Sequence, residues 1–291
     1  MWKGPPRVTT VPPGALAAET IAQEFVTRVL QASQADDAEW PSHDVVLNGD
    51  PVVISILDHV RTNPLVHDIS WHRMHVWWSH ERWLPNGSDD RHDTAVRRAL
   101  LDHIDIPAKN VHPMPGPEPG WTIDEAASAY QAELSRRWWE PRIPSVMLLE
   151  VGVDGRVAGL HPGQRGLPRH GLLVSPTTDE DGVPGLTVTR RIVAGFRDAW
   201  LVALGERLQP VAERLAEYLH LQAKRGCTHD RTPADQARYE ELARAPALDV
   251  THHLTRWYVD TDAQGDSRFD LLSLILGRPF ATPPRDAATV S

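Results

Sequence analysis

Apolar residues recur at helical spacing from Ala15 to Ala32, where Leu16, Ile21, Phe25, Val29 and Leu30 share one side, and this predicts an amphipathic helix behind a proline-rich lead-in. Asp44-Val45-Val46-Leu47-Asn48-Gly49-Asp50 then reads as a short buried strand running into a turn. The helix Pro51–Arg61 follows, with proline in its first turn, where a missing N–H costs little. Met74 to Trp78 is a second strand, Ser79 to Asp93 a polar loop, and Thr94–His103 and Ile123–Arg137 are two further helices. Ser145 to Val151 is the strongest strand pattern; it ends in Gly152-Val153-Asp154-Gly155, a turn that leaves backbone amides facing outward. Leu186–Thr189, Trp200–Leu204 and Arg256–Val259 complete the strands. Gly205 leads into a helix reaching about His220, and Thr232-Pro233 opens another with a threonine cap.

Strands that are apolar on both faces and alternate with helices predict a three-layer α/β/α domain around a mostly parallel, Rossmann-like sheet. The strands near Val45–Leu47, Met74–Trp78, Val146–Val151 and Trp200–Leu204 are expected to be parallel neighbours. Ligands in such folds collect at the carboxyl ends of strands, so chemistry is expected in the loops after Leu47, Trp78, Val151, Thr189 and Leu204. A single domain is expected over 1–265, with an insertion near 221–245, followed by a C-terminal tail over 266–291.

Composition narrows the function. A formal net charge of −9 argues against a general nucleic-acid binder, which needs a basic face. No apolar run approaches the roughly 18–20 residues of a membrane span, and no apolar signal segment follows Met1, so no membrane partner and a cytoplasmic location are expected. Cys227 is the single cysteine, which excludes an internal disulfide and a cysteine-based zinc site. His72 with His75, and His252 with His253, lack a third ligand in any metal-binding spacing, so no metal is expected. Lysine is confined to Lys3, Lys109 and Lys224, so any anion site must rely on arginine.

Three segments in order carry a resemblance. Val76-Trp77-Trp78-Ser79-His80-Glu81-Arg82 is similar to v-F-W-G-D-E-R. Leu148 to Gly163, with Glu150-Val151-Gly152-Val153-Asp154-Gly155-Arg156 near its start, is similar to L-L-G-M-G-x-D-G-H-T-A-S-L-F-P-G. Leu186-Thr187-Val188-Thr189 is similar to R-I-T-L-T, with Gly205 at the matching spacing. Together they resemble the 6-phosphogluconolactonase family, relatives of the glucosamine-6-phosphate deaminases, over about Val8 to Ala263. The resemblance implies the fold above and cofactor-free hydrolysis of 6-phosphogluconolactone to 6-phosphogluconate in the pentose phosphate pathway. It also implies a phosphorylated sugar lactone or sugar phosphate as the ligand.

The departures fall on the site the resemblance implies. Asn48-Gly49-Asp50 replaces a glycine pair and adds a carboxylate. His80 stands for an aspartate, Gly185 for an arginine, Ala194 for an asparagine and Leu208 for the phosphate-holding lysine; Arg156 stands for the histidine that activates water. Lactone hydrolysis needs a base near neutral pKa and positive groups for the oxyanion and the phosphate. Arginine cannot accept that proton. The resemblance with these replacements gives His80, Arg156 and Asp154 as catalytic candidates, and Gly49, Asp50, Glu81, Arg82, Gly155 and His161 as substrate or phosphate contacts. Arg82 is the main phosphate ligand expected, assisted by Arg156, and His80 the nearest replacement base. Two other readings stay open. One is a catalytically impaired homologue that binds a sugar phosphate, or a partner enzyme of the same pathway, as a regulator; the other is an isomerase or deaminase using Asp50. Trp77 and Trp78 alternate along a buried strand and read as core rather than as a sugar platform.

Overall fold

Val45, Val46 and Leu47 are buried on both faces of their strand, as are all five residues of Ala199–Ala203, so these segments form the middle of a covered sheet. The computed structural model describes residues 6–35, 42–138, 146–163, 171–195, 198–224, 232–251 and 255–264. Its elements are β1 (Arg7–Val11), α1 (Ala15–Gln34), β2 (His43–Leu47), α2 (Pro51–Thr62), β3 (Met74–Trp78), β4 (His80–Arg82), α3 (His92–Ala99), β5 (Val111–His112), α4 (Ile123–Arg137) and β6 (Val146–Glu150). They continue with β7 (Val174–Thr178), β8 (Pro184–Val188), α5 (Arg190–Gly195), β9 (Ala199–Ala203), α6 (Gln209–Lys224), α7 (Pro233–Leu242), α8 (Pro246–Asp249), β10 (Thr255–Asp260) and α9 (Thr261–Gln264).

Seven strands form a wholly parallel sheet in the order β1-β10-β9-β6-β2-β3-β5, flanked by helices in a three-layer α/β/α arrangement. The four strands expected to be neighbours are neighbours. From β2 the chain winds outward through β3 to β5, then returns to the other side of β2 and winds through β6 and β9 to β10. The direction of winding therefore reverses between β2 and β6, which opens a crevice at their carboxyl ends.

Two expectations change. Ser79–Asp93 is not all loop, and Leu186–Thr189 is not part of the parallel sheet. Ser79 donates its amide to Leu47 O (2.9 Å) while its own carbonyl accepts from Val188 N (2.7 Å), so the chain leaves the large sheet at this residue. It continues as β4 in a three-stranded antiparallel ribbon, β4-β8-β7, that overhangs the crevice. The helix expected over Thr94–His103 begins at His92 and ends at Ala99, with a short 3-10 turn over Leu101–His103. The lead-in holds β1, which pairs with β10.

The described part of the segment expected as an insertion near 221–245 holds the end of α6 and the whole of α7. α6 runs on to Lys224, and α7 packs against it through stacked Tyr218 and Tyr239, whose hydroxyls lie 2.9 Å apart. Thr232 caps α7 as expected, accepting from the Asp235 amide (3.1 Å), with Pro233 in the first turn. Residues 225–231, His252, His253 and the tail over 266–291 lie outside the described residues. Trp77 and Trp78 are core, each about 1% exposed or less. No helix among the described residues is long and apolar enough to cross a membrane.

Candidate active site

A cleft of about 480 Å³ occupies the crevice between β2 and β6, with the ribbon β4-β8-β7 as one wall. That volume suits a ligand of hexose-phosphate size. Gly49, Asp50, His80, Glu81, Arg82, Arg156 and His161 all line it, so seven of the nine residues singled out in the sequence meet there.

Gly49 is needed because α3 begins against it. A Cβ at Gly49 would lie 2.6 Å from His92 Cα, and the Gly49 amide donates to His92 Nδ1 at 3.1 Å. His80 Nε2 lies 3.6 Å from Asp50 Oδ1, its Nδ1 lies 3.2 Å from Ser79 Oγ, and its ring meets that of His92 edge to face at 4.4 Å. Burial pushes the Asp50 carboxyl up, but His80, His92 and Arg156 together hold it below its ordinary value. Burial and the neighbouring His80 push His92 down to about 3, so it is neutral. Asp50, His80 and His92 bring possible ligand atoms within 4.8 Å of one another, the one such trio among the described residues. The trio fits a metal ion poorly: the Nδ1 lone pair of His92 is engaged by Gly49, which leaves its Nε2 bearing the proton.

Glu150 closes the floor of the cleft. It ends β6, its Oε2 accepts from the Val52 amide in the first turn of α2 (2.8 Å), and Oε1 has no hydrogen-bond donor among the described residues. Burial, followed by repulsion from Asp50, pushes this carboxyl up to about 7, against the pull of the Val52 amide, Arg156 and His80. Sequence reasoning missed it. The signal was present: Glu150 stands where the pattern L-L-G-M-G has its first glycine.

Arg82 and Arg156, the cleft arginines singled out in the sequence, are already paired. Arg82 Nε lies 2.9 Å from Asp179 and its Nη2 2.9 Å from Asp181, while Arg156 Nη1 lies 2.5 Å from Glu180. These three carboxylates sit in the turn between β7 and β8, another feature not singled out in the sequence. Gly185, opposite Arg82 across the β4–β8 pair, admits the close strand approach, since a Cβ there would lie 2.6 Å from Glu81 O. Leu208, at the expected lysine position, is buried, and Arg207 beside it lines an adjoining pocket that shares Glu150 and Arg156 with the cleft.

Three expected contacts are redirected. Glu81 is 2% exposed, and its carboxylate accepts from the amides of Arg82, His92 and Asp93, each at 2.8 Å, with Arg91 at 3.5 Å. It anchors the start of α3 rather than offering an oxygen to a ligand. Asp154 does not line the cleft; its Oδ1 accepts from the Arg156 amide (3.0 Å) and shapes the turn after β6. Gly155 also lies off the cleft, at φ +86°, with its carbonyl accepting from Ala247 N (2.9 Å) and Ala245 so close that a Cβ would lie 2.8 Å from it. That turn demands glycine for its backbone and packing. His161 stands at the cleft edge, with burial lowering its pKa.

Residues 16–244 match the family described as glucosamine-6-phosphate isomerases/6-phosphogluconolactonase. The 6-phosphogluconolactonase of Streptomyces coelicolor is 33% identical over 202 residues, covering 66% of this chain and 75% of that one. The 6-phosphogluconolactonase of Aggregatibacter actinomycetemcomitans is 26% identical over 255 residues, covering 87% and 97%. Among solved structures, the 6-phosphogluconolactonase from Thermotoga maritima superposes with a TM-score of 0.64 at 20% identity, covering 88% of this chain and 99% of that one. A monomeric glucosamine-6-phosphate deaminase does so with a TM-score of 0.61 at 12% identity, covering 88% and 98%.

Proposed function

Because the chain belongs to the glucosamine-6-phosphate isomerase/6-phosphogluconolactonase family, we propose that it hydrolyses 6-phosphogluconolactone to 6-phosphogluconate, the reaction named for its 6-phosphogluconolactonase relatives. The observation that carries this reading is the cleft at the winding reversal, where arginine, histidine and carboxylate side chains converge around space for one sugar phosphate.

Arg82 and Arg156 serve the anionic parts of the substrate. Arg82 takes the phosphate through its planar fork, exchanging the Asp179 and Asp181 carboxylates for phosphate oxygens. Arg156, charged at every physiological pH, stabilises the oxyanion that forms as water adds to the lactone carbonyl, or shares the phosphate with Arg82. His80, held between Ser79 and Asp50, presents its ring to the sugar hydroxyls.

The test is acid release from freshly prepared 6-phosphogluconolactone at pH 6, where spontaneous opening is slow, with unphosphorylated gluconolactone and glucosamine 6-phosphate as comparison substrates. Turnover of the phosphorylated lactone above the uncatalysed rate supports the reading. Ammonia release from glucosamine 6-phosphate without lactone turnover replaces it with a deaminase. Binding of 6-phosphogluconate with neither turnover replaces it with a regulatory homologue.

A further inference from the structure

We propose that Glu150, at the carboxyl end of β6, is the general base that activates the attacking water, a group distinct from His80 on β4 and from the residue at 156. The inference rests on the lactone-hydrolysis reading and deepens it. Three features of the fold support the assignment.

The first is place. Glu150 is the last residue of β6, at the winding reversal between β2 and β6, where a parallel sheet of this kind exposes its ligand crevice. It lines both the main cleft and the adjoining pocket, so its carboxylate stands at their junction. The second is geometry. The Val52 amide holds Oε2 and fixes the carboxylate, while Oε1 has no donor among the described residues and is available to a water. A base held by one oxygen and open at the other meets the requirement that a proton acceptor be positioned before the reaction starts.

The third is the contrast with the other basic groups of the cleft. His80 has both ring nitrogens turned to protein neighbours: Nε2 lies 3.6 Å from the Asp50 carboxylate and Nδ1 3.2 Å from Ser79 Oγ. His92 offers a proton on Nε2 and no lone pair. Asp50 is held as a weakly basic carboxylate by its histidine neighbours. The groups facing Glu150 are Asp50 from the loop before α2, His80 from β4 and Arg156 from the loop after β6, with Glu180, Glu206 and Arg207 around the adjoining pocket. Burial and Asp50 raise its proton affinity to about 7, near the working pH of a general base.

In the step itself, Glu150 Oε1 takes a proton from water as the water oxygen bonds to the lactone carbonyl carbon, whose oxygen becomes the oxyanion. Collapse of that intermediate breaks the bond from the carbonyl carbon to the ring oxygen. The ring oxygen leaves with the proton returned by Glu150, which ends the cycle ionised, and the new carboxylic acid loses its proton to solvent.

The experiment compares wild type, Glu150→Gln, Glu150→Asp and His80→Gln on 6-phosphogluconolactone from pH 5.5 to 7.5, with circular dichroism as the check on folding. Wild-type kcat/KM is expected to rise with pH towards a plateau above about 7. Glu150→Gln, nearly isosteric, is expected to lower kcat by about 10²–10⁴-fold with KM within a few-fold and the pH rise abolished. Glu150→Asp is expected to keep the pH rise at reduced kcat. Wild-type kcat in Glu150→Gln, or a reduced kcat whose pH rise persists in Glu150→Gln and vanishes in His80→Gln, overturns the assignment while leaving lactone hydrolysis intact. No turnover by wild type overturns the functional reading, and this assignment with it.

Discussion

The Glu180 carboxylate, in the turn that joins β7 to β8, lies 2.5 Å from the Arg156 guanidinium in the loop after β6. With Asp179 and Asp181 on Arg82, the turn supplies to both arginines the negative charge that a phosphate would bring. Substrate phosphate must therefore compete with carboxylates of the chain itself. Exposed pairs of this kind are each worth about 0.2–1 kcal/mol, so Glu180→Gln or Asp181→Asn is expected to lower the Kd for 6-phosphogluconate by up to about fivefold. Isothermal titration measures it. A weaker affinity in both variants removes the competition.

Glu150 has a stability consequence that is separate from its turnover. Its carboxyl is raised in the folded chain from 4.5 to about 7, so the folded state holds a proton that the unfolded state releases. Stability from this group is thus fully present below about pH 4.5 and lost as pH rises through about 7. The loss at pH 8 is on the order of 3 kcal/mol, at about 1.4 kcal/mol per pKa unit. Glu150→Gln removes it. The variant is expected to melt several degrees above wild type at pH 8 and to match it near pH 4.5, as read by calorimetry at both pH values.

Gly49→Ala should be poorly tolerated. The added methyl would lie 2.6 Å from His92 Cα and 2.9 Å from His92 O, which are backbone atoms at the start of a helix that Glu81 holds in place. Overpacking of this kind costs typically about 1–3 kcal/mol, and here it also pushes His92 away from the Gly49 amide. A lower midpoint in urea together with a change in the His92 imidazole resonances in proton NMR is the expected pair of observations. An unchanged midpoint would show that the loop relaxes freely.

Periodicity revealed the parallel sheet because burial on both faces writes itself into runs such as Val45-Val46-Leu47 and Val146 to Leu149, where every position must be apolar. β1 was not legible for the opposite reason. Arg7-Val8-Thr9-Thr10-Val11 is an edge strand with one fully buried residue, and a half-polar edge looks like a linker. β4 is three residues long and is defined by pairing with Leu186 more than a hundred residues away, which no local pattern contains.

The site divides along the same line. Residues set by an ordered motif, such as Arg82 and Arg156, were found, and their place in the cleft could be expected. Their partners could not: Asp179, Glu180 and Asp181 read as an ordinary solvated turn until the ribbon brings them over the arginines. Glu150 was hidden in the strongest strand, as a single polar residue at its end. Glu81 and Gly155 show the converse, since both belong to the motif yet secure backbone rather than ligand.

The pairing of β1 with β10 joins Arg7 to Arg256 and Val11 to Asp260. During synthesis on the ribosome β1 therefore emerges well before β10 and waits for it, while the intervening chain has time to fold around β2, β3 and β6. Contacts of such long sequence separation form slowly, and an unpaired strand is a site for wrong association in the interval. Thr9 and Thr10, polar enough to stay hydrated, and the charged Arg7 disfavour pairing of that waiting strand with a wrong neighbour before its own partner emerges.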